Sequence, residues 1–174
     1  MLRGTRLGFE APERAAGLRV TERLTGDATT DFGAPSIAPG ADGRPIDGAD
    51  LRRLEAILNA CWRAFDRAVE AAEGKTLAKG PRGGGRDLAK IVAHVVDADG
   101  GYVRMLGRKV EPGPNASEID RTRAAVLDAL AVTAVEGPPP PGPRGGKRWL
   151  PRTFVRRVAW HVLDHAWEIE DRAG

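Results

Sequence analysis

The sequence predicts an all-α protein, a four-helix bundle preceded by an extended N-terminal arm. Two observations carry that reading. From residue 50 onward, four segments place apolar residues at three- and four-residue steps, the period of an amphipathic helix. No segment after the arm shows the strict alternation of a half-buried strand. The chain has 174 residues, which suits one domain and an arm better than two domains.

Residues 1–48 form the arm. They are rich in Gly, Pro, Asp and Thr, as in TGDATTDFGAPSIAPGADGRP, and read as extended or partly disordered. Leu18 to Leu24 alternates well enough to be a candidate short strand. Residues 49–174 form the bundle. Asp47 and Asp50 are both candidate caps for the first helix. Its stripe is Leu51, Leu54, Leu58, Cys61, Phe65 and Ala68, and it ends near Gly74.

The segment KGPRGGGRD must be a loop. Asp87 opens the second helix, with Leu88, Ile91, Val95, Ala98, Tyr102 and Met105 inward and Gly107 as the stop. Gly100-Gly101 weakens that helix by about 1 kcal/mol per glycine, unless the pair permits close helix approach. Ser117 and Asp120 mark the start of the third helix, with Ile119, Ala124 or Val126, Leu127, Leu130 and Val135 as its stripe. The run EGPPPPGPRGGK ends regular structure, because proline cannot continue a helix. The fourth helix runs from Pro151, a residue suited to a first helical position, to about Arg172.

Composition narrows the function classes. Lys and Arg number 27 against 24 Asp and Glu, with the signs mixed and no dense basic block, so nucleic-acid binding is not expected. The N-terminus has no apolar signal-peptide run, and no stretch approaches about 18 uncharged apolar residues, so no membrane span is expected. One cysteine, Cys61, rules out an intrachain disulfide and suits a reducing, cytoplasmic setting. The glycines of the first loop lack the Lys-Ser or Lys-Thr of a phosphate-binding loop.

The chain has three histidines. His161 and His165 lie i, i+4 on the fourth helix, which stacks both imidazoles on one face, on that helix's apolar stripe with Phe154 and Val158. Among three histidines in 174 positions, some pair falls four apart by chance only about 3 times in 100. His94 lies at the edge of the second helix's stripe, so all three point toward one interior. A buried imidazole without a partner is costly, and a shared divalent cation is the simplest common partner. Three neutral imidazoles suit Zn²⁺, Ni²⁺ or Fe²⁺ and leave coordination positions open. Taken singly, each reads first as a core histidine bonded to a backbone carbonyl or set at a wet boundary, and only together do they point to a metal.

Neighbouring residues have paired readings. Glu168, seven residues after His161, is a candidate catalytic base, an orienting acceptor for an imidazole, or an extra ligand; the plain alternative is a solvated glutamate paired with Arg172. Asp97 and Asp164 are candidate acceptors for an imidazole N–H. Trp160 and Trp167 read as packing residues before substrate platforms. Cys61 reads as a small buried hydrophobe, with a reactive thiol or fourth ligand as the alternative.

The stretch DLAKIVAHVVDADGGYVRML, followed far downstream by WHVLDHAWEIEDR, resembles the DinB-like superfamily. Its relatives include YfiT-like proteins, thiol-dependent transferases and maleylpyruvate isomerases. The resemblance covers roughly residues 50–172, and its most specific part is the separated His94 with His161 and His165. It implies a bundle with an unusual helix order, a metal at the triad and frequent homodimers. By the same resemblance, the activity would be attack of a low-molecular-weight thiol or water on a small-molecule electrophile. The alternative is a non-catalytic, metal-stabilised binding or stress-related module.

Overall fold

The computed structural model describes residues 10, 12–80, 85–113, 116–142 and 145–174. Among these residues there are four α-helices and no strand: α1 (Gly48–Ala72), α2 (Leu88–Met105), α3 (Glu118–Glu136) and α4 (Pro151–Ala173). No described helix is long and apolar enough to cross a membrane. The architecture is the expected all-α bundle. Part of the KGPRGGGRD loop and of the proline-rich run lies outside the described residues.

The local signals act as physical chemistry requires. The Asp47 carboxylate accepts the backbone N–H groups of Ala49 and Asp50, so Asp47 is the cap of α1. Asp50, the other candidate, pairs with Arg152 of α4 at 2.7 Å. Asp87 caps α2 by accepting the Lys90 N–H, and Ser117 caps α3 by accepting that of Asp120. Gly74 and Gly107, beyond the ends of α1 and α2, take the left-handed conformation that glycine adopts without a Cβ penalty (φ +72° and +77°).

Helix pairing does not follow chain order. α1 packs most extensively on α4, α2 packs on α3 and α4, and α1 touches α2 and α3 only thinly. The core contains Leu58, Cys61 and Phe65 of α1, Ile91 and Val103 of α2, Val126 and Leu130 of α3, and Phe154, Val158, Val162 and Ile169 of α4. α4 thus serves both neighbours, which is why its buried face is so broad.

Two stripes differ from expectation. In α2 the most buried positions are Ile91, Val95, Asp99 and Val103, whereas Ala98, Tyr102 and Met105 are half-buried on the flank. An aspartate at the centre of the stripe disguised it. In α3 the stripe is Thr122, Val126, Ala129, Leu130 and Thr133, while Val135 is 83% exposed. Buried Thr122 and Thr133 interrupt the apolar period there.

The arm holds three short 3-10 turns, Ala15–Gly17, Thr30–Phe32 and Gly40–Gly43, and Leu18 to Leu24 pairs with no strand. One residue anchors its last part. Asp42 is buried (3% exposed) and accepts the Thr153 hydroxyl at 2.8 Å and both terminal nitrogens of Arg156 at 2.7 Å. Arg152 and Arg157 add bonds to the Pro45 and Pro35 carbonyls. The arm therefore lies along the N-terminal half of α4.

Candidate metal centre

α4 fixes two of the three histidines. Their i, i+4 spacing brings the His161 and His165 rings to 4.6 Å, centroid to centroid. α2 supplies the third from its flank, where His94, Ala98 and Tyr102 recur at four-residue steps beside α4. The His94 ring lies 5.1 Å from His161 and 5.0 Å from His165. One nitrogen from each imidazole lies within 4.8 Å of the others. His94 Nε2 and His161 Nε2 are 3.3 Å apart. Two nitrogens bound to one tetrahedral Zn²⁺ at ~2.0–2.1 Å stand about 3.3–3.4 Å apart, so this edge already has the spacing a metal requires.

The protonation states suit ligands. Burial pushes the His161 imidazole down to about 3, helped by the neighbouring His165 and His94. Burial also lowers His94, with Arg86 and His165 adding to it. A neutral imidazole offers a lone pair, whereas an imidazolium offers none. The donor set therefore fits a divalent ion. His161 Nδ1 is buried without a hydrogen-bond partner, an internal cost that a bond at the other nitrogen would offset.

Glu168 orients the third ring. Its Oε2 accepts from His165 Nδ1 at 2.7 Å, which leaves Nε2 of His165 to bear the lone pair. Its other oxygen accepts from Arg172 at 2.5 Å. Burial alone would raise the Glu168 carboxyl, but these two hydrogen bonds outweigh it and hold it below its ordinary value. Both the orienting role and the Arg172 pairing weighed from the sequence are thus present in one side chain. Arg172 also donates to the carbonyls of Ala78 and Arg86, tying the end of α4 to the connection between α1 and α2.

The other candidates fall elsewhere. Asp97 and Asp164 are exposed and accept from no histidine among the described residues. Cys61 is buried in the core, outside the histidine cluster, and burial pushes its thiol up to about 11, which makes it a hydrophobe in practice. Trp160 borders His161 at 6.1 Å, but Trp167 is 57% exposed and does not serve as the packing residue expected.

Sequence reasoning missed Tyr102 and Arg157. The Tyr102 ring meets His161 edge-on at 5.7 Å, and the Arg157 guanidinium lies over Tyr102 and Trp160. The i−4 relation of Arg157 to His161 was the available signal. A large cavity, about 680 Å³, lies away from the triad, between the ends of α2 and α3 and the prolines Pro138 to Pro140. Its mixed lining, with Arg108, Lys109, Asp128 and Glu136, presents no convergent chemistry.

No protein-family model, no curated protein and no solved structure matches this chain.

Proposed function

We propose that this chain is a divalent-metal-binding bundle of the DinB-like kind, with His94, His161 and His165 as its protein ligands. The observation that carries the reading is the convergence of three imidazoles from two helices, with one nitrogen of each within 4.8 Å of the others. Zn²⁺, Ni²⁺ and Fe²⁺ all suit such a set.

A divalent ion on three imidazoles lowers the pKa of water or of a thiol and so supplies an anionic nucleophile near neutral pH. Around it, this chain's own groups would position and insulate. Glu168 holds the His165 tautomer, and Arg172 holds Glu168. Because both carboxylate oxygens are engaged, Glu168 works through His165 more readily than as a free base. The reaction class we favour is transfer of a low-molecular-weight thiol, or of water, to a small-molecule electrophile, in a cytoplasmic protein. A purely structural metal would favour a fourth protein ligand. Of the two residues weighed for that place, Cys61 lies outside the cluster, and Glu168 has its oxygens bonded to His165 and Arg172.

The test is metal content by mass spectrometry on tag-free protein, beside a His161→Ala/His165→Ala variant. About one equivalent in the parent and almost none in the variant is expected. A parent that stays empty after supplementation with Zn²⁺ and Ni²⁺ overturns the ligand assignment.

A further inference from the structure

Four arginines lie on α4, and three have a carboxylate. Arg152 pairs with Asp50, Arg156 with Asp42 and Arg172 with Glu168. Arg157 pairs with no carboxylate among the described residues. Its one hydrogen bond, to the Pro35 carbonyl, is long at 3.4 Å, and its Nε is buried with no partner. A half-buried guanidinium with a buried, unbonded Nε and no carboxylate retains hydrogen-bonding capacity.

Its position gives the ligand an address. Arg157 precedes His161 by about one turn on the same face of α4, about 6 Å along the axis. The guanidinium is held over Trp160 at 5.1 Å and Tyr102 at 5.8 Å, and both rings also border His161. Two rings thus lie beside the guanidinium, and of its N–H groups one makes the long bond to the Pro35 carbonyl. The charge of Arg157 also acts on Asp27 of the arm, whose carboxyl it helps hold below its ordinary value, without an ion pair between the two. The fields of Arg157 and Arg86 both reach His161, and the adjacent carboxylate, Glu168, is already matched by Arg172.

We infer that Arg157 is the anion-recognising residue of the histidine site, and that the small molecule bound there carries a carboxylate. Carboxylate and phosphate can both meet a guanidinium edge through two parallel hydrogen bonds, and a single guanidinium balances the single charge of a carboxylate better than a phosphate dianion. One helical turn is spanned by a three-carbon acid, so one end of such a molecule reaches the triad while the other meets Arg157. This inference rests on the metal reading above.

The probe is 3-mercaptopropionate, titrated calorimetrically into Co²⁺-loaded protein, with 3-mercaptopropanol as its uncharged match and inorganic phosphate as the competing anion. The expected result is that the acid binds at least tenfold more tightly than the alcohol and outcompetes phosphate. Arg157→Gln erases that preference and Arg157→Lys keeps part of it, while Co²⁺ content and the helical circular-dichroism signal stay at parent values. Equal affinity for acid and alcohol overturns the inference, as does an unchanged preference in Arg157→Gln, and phosphate displacing the acid overturns the carboxylate class. If the parent takes up no Co²⁺, the metal reading fails by itself. The same titration is then run with acetate on the metal-free protein: binding lost in Arg157→Gln supports the anion site, and no binding in the parent overturns it.

Discussion

His94 and Asp99 belong to the same helix, on flanks about 140° apart at 100° per residue, and their surroundings differ in kind. His94 faces two more imidazoles, one of them held by a carboxylate that is itself held by an arginine. Asp99 faces apolar core. Its Oδ2 accepts a long bond from the Trp62 indole N–H at 3.4 Å, and its Oδ1 is buried without a partner. The first cluster is organised around a point where something can bind. The second is a lone polar group that the fold tolerates. Convergence, more than burial, separates a site from a cost.

The metal sets the largest expected difference between the two. If the triad is the site, free Zn²⁺ at about 1,000 times its dissociation constant stabilises the folded chain by about 4 kcal/mol. Chelation with EDTA removes that increment, and His94→Ala, which leaves α4 intact, prevents most of it. Thermal melts with and without metal measure both. A midpoint indifferent to EDTA and to His94→Ala would make the triad no more than a second instance of tolerated polar burial.

Asp99 supplies the next test, through pH. Burial raises its carboxyl to about 7, against the opposing influence of Trp62 and Arg123. Its folded value lies above its unfolded value of about 3.8, so the folded state binds the proton more tightly. Stability from this group is fullest below pH 4, declines as pH rises from about 4 to 7, and is absent above that window. Asp99→Asn removes the charge. The variant should therefore be more stable than the parent by about 2 kcal/mol at pH 8, less than the full linkage value because the new amide needs acceptors. The gap should narrow by more than half at pH 5. Urea titrations at the two pH values report it, and a gap independent of pH would mean that Asp99 does not titrate in this window.

The contrast also explains what could be read from the sequence. The triad was legible because an i, i+4 pair is a local pattern and the chain offers only one further histidine. The four helices were legible for the same reason, in their caps and periods. Glu168 was partly legible: it lies three residues after His165, and only the structure shows it bonded to that ring. Asp99 was not, since a charge within an apolar stripe reads as a surface position. Nor was Asp42, whose partners Thr153 and Arg156 are 111 and 114 residues away, beyond any local pattern. Arg157 was hidden because a positive charge beside a ligand stripe looks like solvated helix surface until its neighbours prove to be rings and a carbonyl.

Glu168→Gln sharpens the comparison at the site itself. Glutamine keeps the size and can still accept from His165, but it loses the charge that strengthens both hydrogen bonds. Metal affinity should fall about tenfold, roughly 1.4 kcal/mol, with α4 still helical. Competition with a chromogenic chelator gives the number. Unchanged affinity would reduce Glu168 to the surface pairing with Arg172.

The smallest effect concerns the helix that His94 and Asp99 share. Gly100 and Gly101 read as a cost in helix propensity with close helix approach as the alternative, and a Cβ at Gly101 would meet nothing within 4 Å, one at Gly100 only Val110 at 3.7 Å. Neither glycine has a positive φ, so alanine can adopt the same backbone. Gly101→Ala should therefore stabilise the chain by about 0.5–1 kcal/mol, because the unfolded state loses more freedom than the folded helix does. If the triad is preorganised by packing between α2 and α4, metal affinity stays at its parent value. A weaker metal site in a more stable Gly101→Ala chain would instead mean that α2 must bend for His94 to reach its partners. In that case the two glycines belong to the site, and Asp99, on the same bend, would be coupled to it.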